Sequence, residues 1–148
     1  MSKGRFRSHL ESTIAQQLDD EGIPYKYEDY SYEYDLPLPR AECADCGSKN
    51  VATTRWYTPD FFLPNGIVIE TKGKLDRATR KKMIAVRKAH PDEDIRFLFQ
   101  RNNKIDKRST TRYMDWAAQH GFKAALRQIP DEWLAEARSD DEDIDAGH

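Results

Sequence analysis

Apolar residues recur along this chain in two periods, and the switches between them divide it into elements. Leu10, Ile14 and Leu18 stand four residues apart, the spacing of one helix face. Ser8 with Glu11 makes a capping box and Gly22 a stop, so the pattern predicts a helix over Arg7 to Glu21. From Pro24 to Tyr34 the tyrosines alternate (Tyr25, Tyr27, then Tyr30, Tyr32, Tyr34), which predicts one or two strands. Pro37 to Thr54 carries Pro37, Pro39, Gly47 and a cysteine pair, and predicts a loop or bridging segment. Tyr57 to Leu63 predicts a strand, Pro64-Asn65-Gly66 a hairpin turn, and Ile67 to Lys72 the returning strand. Asp76 can cap a helix that runs to about Ala89 and ends at His90-Pro91. Asp94 to Gln100 predicts a buried strand, and Arg101 to Ser109 a polar, basic loop. A helix from Thr110 or Thr111 to Gly121, a short strand over Phe122 to Ile129 and a last helix from Pro130 through Ala137 complete the series. This order predicts an α/β class protein, a mixed sheet with helices on both sides. Order alone fits several such folds.

The apolar run Ile67-Val68-Ile69 predicts a strand covered on both faces, and charges follow it directly. Glu70 and Lys72 share one strand face while Ile69 and Thr71 take the other. The hairpin brings Asp60 towards the Glu70 end. Two carboxylates are hard oxygen donors for Mg²⁺. A cation with a nearby lysine activates water and stabilises charge on a phosphate under attack. The competing reading is a surface strand whose Glu-x-Lys forms a solvated pair. A salt-bridged surface hairpin does not need a fully apolar strand, so Asp60, Glu70 and Lys72 are nuclease candidates.

Charge distribution changes the picture further. The chain has 148 residues and a net charge of −2, with 38% hydrophobic and 34% charged residues. That length predicts one domain, with arms. The low apolar content fits a small subunit that completes its core by dimerising, as well as a soluble monomer. Lys72 to Arg108 holds 13 lysines and arginines against five acids, while five more acids lie in the last ten residues. A basic middle with an acidic end suggests contact with nucleic acid. Arg5, Arg7, Lys74, Arg77, Arg80, Lys81, Lys82, Arg101, Lys104, Lys107 and Arg108 are the candidate phosphate contacts. For each of them a solvated surface charge is the competing reading. No apolar run is long enough for a membrane helix, and Met1 to Arg5 is basic without an apolar stretch behind it, so an intracellular protein is expected.

The residues resemble the phage T7 endonuclease I family, resolvases of four-way (Holliday) DNA junctions. The likeness runs from about Phe6 to Ala137. It is carried by Arg7-Ser8-His9-Leu10-Glu11, by Tyr57 to Gly66, by Glu70-Thr71-Lys72-Gly73, by Arg80-Lys81-Lys82, by His90-Pro91 with Asp94-Ile95-Arg96, and by Ile129-Pro130-Asp131-Glu132-Trp133. The resemblance implies a restriction-endonuclease-like fold in an intertwined homodimer whose subunits exchange elements. It implies catalytic roles for Asp60, Glu70 and Lys72, and for Glu11 as a fourth acid from the N-terminal helix. It implies Mg²⁺ or Mn²⁺ held by Asp60, Glu70, Thr71 and Glu11, and cleavage of branched DNA inside a phage host. A nuclease of the same fold acting on other DNA and a non-catalytic DNA-binding module are the alternatives.

Two segments depart from the family. Cys43-Ala44-Asp45-Cys46-Gly47 resembles half of a zinc ribbon, so Cys43 and Cys46 are candidate Zn²⁺ ligands, shared across a dimer or completed by histidines. Two reduced thiols or a redox pair are the other readings. The acidic segment 139–148 is expected to be disordered, outside a nuclease domain over 1–138.

Overall fold

The computed structural model describes residues 6–37 and 52–146. Arg5, Cys43 and Cys46 lie outside the described residues. Helix α1 spans His9–Asp20, β1 Lys26–Tyr27, β2 Tyr32–Pro37 and β3 Ala52–Tyr57. Then follow β4 Phe61–Phe62, a single 3₁₀ turn over Pro64–Gly66, and β5 Ile67–Lys72. Helix α2 (Arg77–Ala89), β6 (Asp94–Phe99), α3 (Tyr113–Gln119), β7 (Lys123–Leu126) and α4 (Asp131–Ala146) close the chain.

Five strands form a mixed sheet in the order β1-β4-β5-β6-β7. The β1–β4 and β4–β5 pairs are antiparallel, while β5–β6 and β6–β7 are parallel. The parallel centre explains the uninterrupted apolar runs, because helices cover both faces. Ile67 and Ile69 pack with Leu10, Ile14 and Leu18 of α1 and Trp133, Leu134 and Ala137 of α4. Val68, between them, joins Ile95, Phe97 and Phe99 against α2 and α3. Each fully buried aliphatic side chain of this kind contributes roughly 1.5–3 kcal/mol. The mixed α/β architecture read from the element order is the one the chain adopts.

Local chemistry sets several ends. Ser8 Oγ accepts from Glu11 N at 3.1 Å and caps α1, and Asp76 Oδ1 accepts from Thr79 N at 2.9 Å and caps α2. Asn65 (φ 66°) and Gly66 (φ 76°) take the left-handed backbone that the turn requires, a region Asn and Gly enter most readily.

Four expectations change. The strand read over Tyr57 to Leu63 is broken: Tyr57 ends β3, which pairs with β2 in a separate two-stranded sheet, and only Phe61–Phe62 joins the main sheet. Pro59 has no N–H to give a ladder, so the chain changes sheets there, leaving Asp60 at the corner. The loop expected over Pro37 to Thr54 gives up its ends to β2 and β3. Helix α3 starts later than Thr111, because a bridge from Lys104 to Arg112 and the bond from Tyr113 N to Asn103 O hold that stretch extended. The helical backbone of α4 continues to Ala146, where disorder was expected. No Gly or Pro interrupts it before Gly147.

Candidate active site

Strand β5 carries the site at its C-terminal end. Residues 67 to 69 are locked in the sheet centre, so Glu70 and Lys72 emerge on the face towards α2 while Thr71 faces the other way. Strand β4 pairs only with Ile69 and Val68, so beyond that point the β4 side of β5 is open. Asp60 fills it: Oδ2 accepts from Thr71 N and from Thr71 Oγ1, each at 2.8 Å. A strand residue points its N–H and C=O to the same side, so the Thr71 carbonyl opens towards Asp60 as well. Lys72 Nζ lies 3.4 Å from Glu70 Oε2, and Tyr57 donates its hydroxyl to Glu70 Oε1 at 2.8 Å.

Glu11 arrives from the first turn of α1. Its amide is taken by the Ser8 cap, but its carboxylate does not complete the reciprocal box. Oε1 instead accepts from Arg7 N at 3.1 Å and from the Tyr27 hydroxyl. The Arg7 guanidinium pairs with Glu28 and lies 3.7 Å from Asp60 Oδ1. Arg7 therefore stands beside the acids while its side chain stays exposed.

Burial makes this group electrostatically costly. Glu11, Asp60 and Glu70 are 6%, 3% and 4% exposed. Glu70 is pushed up to about 7, first by burial and then by the neighbouring Asp60 charge, against the opposing pull of Lys72, the Tyr57 hydroxyl and Lys82. Asp60 is raised as well, chiefly by burial and partly by Glu11, with the two Thr71 bonds working the other way. Burial lowers Lys82, which stands 5.3 Å over the Tyr57 ring.

Hard, mutually repelling oxygen donors are a good chemical match to a divalent cation. Among the described residues no three Asp, Glu, His or Cys side chains are gathered into a ready-made metal nest. In phosphoryl-transfer sites Mg²⁺ is held through one or two carboxylates, retained waters and substrate phosphate. Asp60, Glu70 and the Thr71 carbonyl supply such a partial set.

The basic candidates divide. Lys74 and Arg77 are exposed on the way into α2, and Arg101, Lys104, Lys107 and Arg108 are exposed in the loop after β6. Both segments leave the sheet at the site end, since Phe99 registers with Lys72 and Gln100 N bonds to Lys72 O. Arg80 joins the two segments through Nη1, which donates to Leu75 O at 2.8 Å and Ile105 O at 3.1 Å. Arg80 is thus a tie more than an open contact. Lys81 is exposed further along α2, at a groove of about 600 Å³ between α2 and β2 that Leu36, Ile84 and Ala85 also line. That groove contains none of the buried acids, and its lining is largely apolar. Sequence reasoning missed Tyr57, Tyr27 and Glu28 as neighbours of the acids; adjacency to Thr58-Pro59-Asp60 was the only cue for Tyr57.

A mixed sheet whose central strand ends in Glu-x-Lys beside a Pro-Asp corner is the frame of a nuclease. A family model described as phage endonuclease I matches residues 1–144, and the chain belongs to that family. Endonuclease I of Escherichia phage T7 is 38% identical over 138 residues, 93% of this chain and 83% of that protein. Endodeoxyribonuclease 1 of Enterobacteria phage T3 is 40% identical over 131 residues, 87% of this chain and 77% of that protein. The chain is an endonuclease of phage type. Among the described residues no helix is long and apolar enough to cross a membrane.

Proposed function

We propose that this endonuclease is structure-selective and cuts four-way (Holliday) and other branched DNA as a homodimer, by Mg²⁺- or Mn²⁺-dependent hydrolysis. The observation that carries the reading is the convergence of buried Asp60 and Glu70 with Lys72 at one strand end. Asp60, Glu70 and the Thr71 carbonyl would hold the cation, and Glu11 a second one or its water shell. The metal, when bound, neutralises phosphate charge and sharpens a water into a nucleophile. Lys72 orients that water and meets the negative charge that builds on the phosphate oxygens. Glu70, pinned by Tyr57, keeps its free oxygen turned towards Lys72. The water oxygen bonds to phosphorus as the bond to O3′ breaks, leaving a 5′-phosphate and a 3′-hydroxyl.

The rim would supply affinity that does not depend on sequence. Lys74, Arg77, Lys104, Lys107 and Arg108 present charge at the site end, and phosphate contacts give affinity without sequence preference. Two cuts on a branched substrate call for two such sites, hence the homodimer. Any Zn²⁺ at Cys43 and Cys46 stays a separate proposal, tested by metal analysis of the purified chain.

The test is cleavage of a labelled four-way junction beside linear duplex of the same sequence, in Mg²⁺ and in EDTA, with wild type and Lys72→Ala. Metal-dependent paired cuts near the branch, lost in Lys72→Ala, are expected. Equal cutting of both DNAs would replace junction selectivity with general nuclease action. Tight binding without cutting under any metal would favour a binding module.

A further inference from the structure

We propose that Tyr57 is a positioning residue of this site: its hydroxyl fixes which oxygen Glu70 presents, and its ring seats the Lys82 ammonium beside it. The inference rests on the nuclease reading of Glu70 above. Tyr57 is the last residue of β3 and is 1% exposed. Its hydroxyl donates to Glu70 Oε1 at 2.8 Å, and Lys82 Nζ stands 5.3 Å from its ring centroid. Tyr32 stacks on the ring with centroids 6.3 Å apart. Tyr32 is itself anchored, through its hydroxyl to Glu93 and by a contact with the His90 ring. The Tyr57 ring is therefore wedged, and its hydroxyl is aimed by packing.

A carboxylate that can rotate presents either oxygen to a cation. Glu70, held at Oε1, presents Oε2, the oxygen that faces Lys72. Partners of this kind around metal-holding carboxylates fix orientation as well as charge. Lys82 forms no ion pair among the described residues. Its ammonium rests on an aromatic face, an attraction that leaves its N–H donors available to a phosphate. One buried side chain from the second sheet thus sets both an acid and a cation of the site.

Tyr57→Phe deletes one oxygen and keeps the ring. Mn²⁺ binding to the DNA-free protein, read by electron paramagnetic resonance titration, is expected to weaken about 10- to 100-fold. The kcat for junction cleavage should fall with it, while KM for the junction stays near wild type. Tyr113→Phe deletes a tyrosine hydroxyl from the same hydrophobic cluster without touching Glu70 or the Tyr32–Tyr57 stack, and should leave Mn²⁺ affinity at the wild-type value. Wild-type affinity in Tyr57→Phe overturns the positioning role. So does an equal loss in both variants, since the loss would then follow packing. For the ring seat, Lys82→Met should lower junction affinity in EDTA and reduce the salt slope by about one; an unchanged slope overturns that half. If wild type binds Mn²⁺ more tightly than Tyr57→Phe yet cuts no DNA, the positioning role stands and the nuclease reading fails.

Discussion

Arg96, near the start of β6, is buried between the sheet and α4, while Asp60 and Glu70 are buried beside the end of neighbouring β5. Both regions place charge where water is scarce, and they resolve it in opposite ways. Arg96 is 1% exposed and holds Asp94 through Nε and Nη2, with Glu136 also on Nη2 at 2.7 Å. Its guanidinium stacks over Trp133 at 5.1 Å. Both acids are drawn below their ordinary range, first by the Arg96 bonds. Around Glu70 the order reverses: burial and a like charge push the acid up, and Lys72 offsets only part of it. The fold gives Arg96 two carboxylate partners, with Nη1 left without a hydrogen bond, and leaves Glu70 short of positive charge. In the proposed reading, that deficit is what a cation and a phosphate would fill.

The sharpest way to break the contrast is Glu70→Gln. It removes the strained charge but keeps the shape and the contact with Tyr57. Junction cleavage should fall about 100-fold or more, in line with losing a group that serves the transition state. The melting temperature in EDTA should hold or rise, because a buried carboxylate without full compensation opposes folding. Cleavage and thermal melting on the same preparation decide it. A large drop in melting temperature would mean that Glu70 is structural, as Arg96 is.

Arg96→Met makes the reverse test. It keeps volume, removes the cation and leaves Asp94 and Glu136 facing each other. Breaking a buried pair costs about 3–5 kcal/mol, and the low end applies because both acids are roughly 40% exposed. At 148 residues a loss of about 3 kcal/mol lowers the melting temperature by roughly 6–12 °C. Cleavage measured well below the new midpoint should be unchanged. The sign with pH follows from the depressed acids. Their contribution is fully present above the ordinary carboxylate range and is lost as pH falls through the folded-state values. Wild type should therefore lose its margin over Arg96→Met as pH drops below about 4. A constant margin down to pH 2 would remove the two acids from the account.

How much of this was legible in the sequence depended on how local the cause was. Helix α1 with its Ser8 cap, α2 with Asp76, and the runs of β5 and β6 were readable because spacing and caps lie within one element. Asp60, Glu70 and Lys72 were readable as candidates because a tight turn separates their strands. The change of sheet at Pro59 was not, since it depends on β3 finding β2 across residues 38–51. For the same reason Tyr57 could not be placed on Glu70. Arg80 looked like its neighbours Lys81 and Lys82, yet it spends its donors on Leu75 and Ile105 carbonyls. Residue type announces charge; only the packed chain says what the charge is spent on.

That distinction gives the mildest prediction. Lys107 is exposed in the loop that leaves β6 at the site end, with no ion pair among the described residues. If it touches phosphate, Lys107→Gln should weaken junction binding a few-fold and lower the slope of log affinity against log salt by about one. The melting temperature should stay within about 1–2 °C of wild type, as for most surface changes. Arg80→Gln offers the matched contrast: its main loss should be stability, because two carbonyls lose their donor where α2 meets the loop. Binding titrations at several salt concentrations, with melting curves for both variants, separate the two. Equal salt slopes for Lys107→Gln and wild type would take this loop off the DNA and leave the rim to Lys74 and Arg77, whose positions at the head of α2 are fixed by the Asp76 cap.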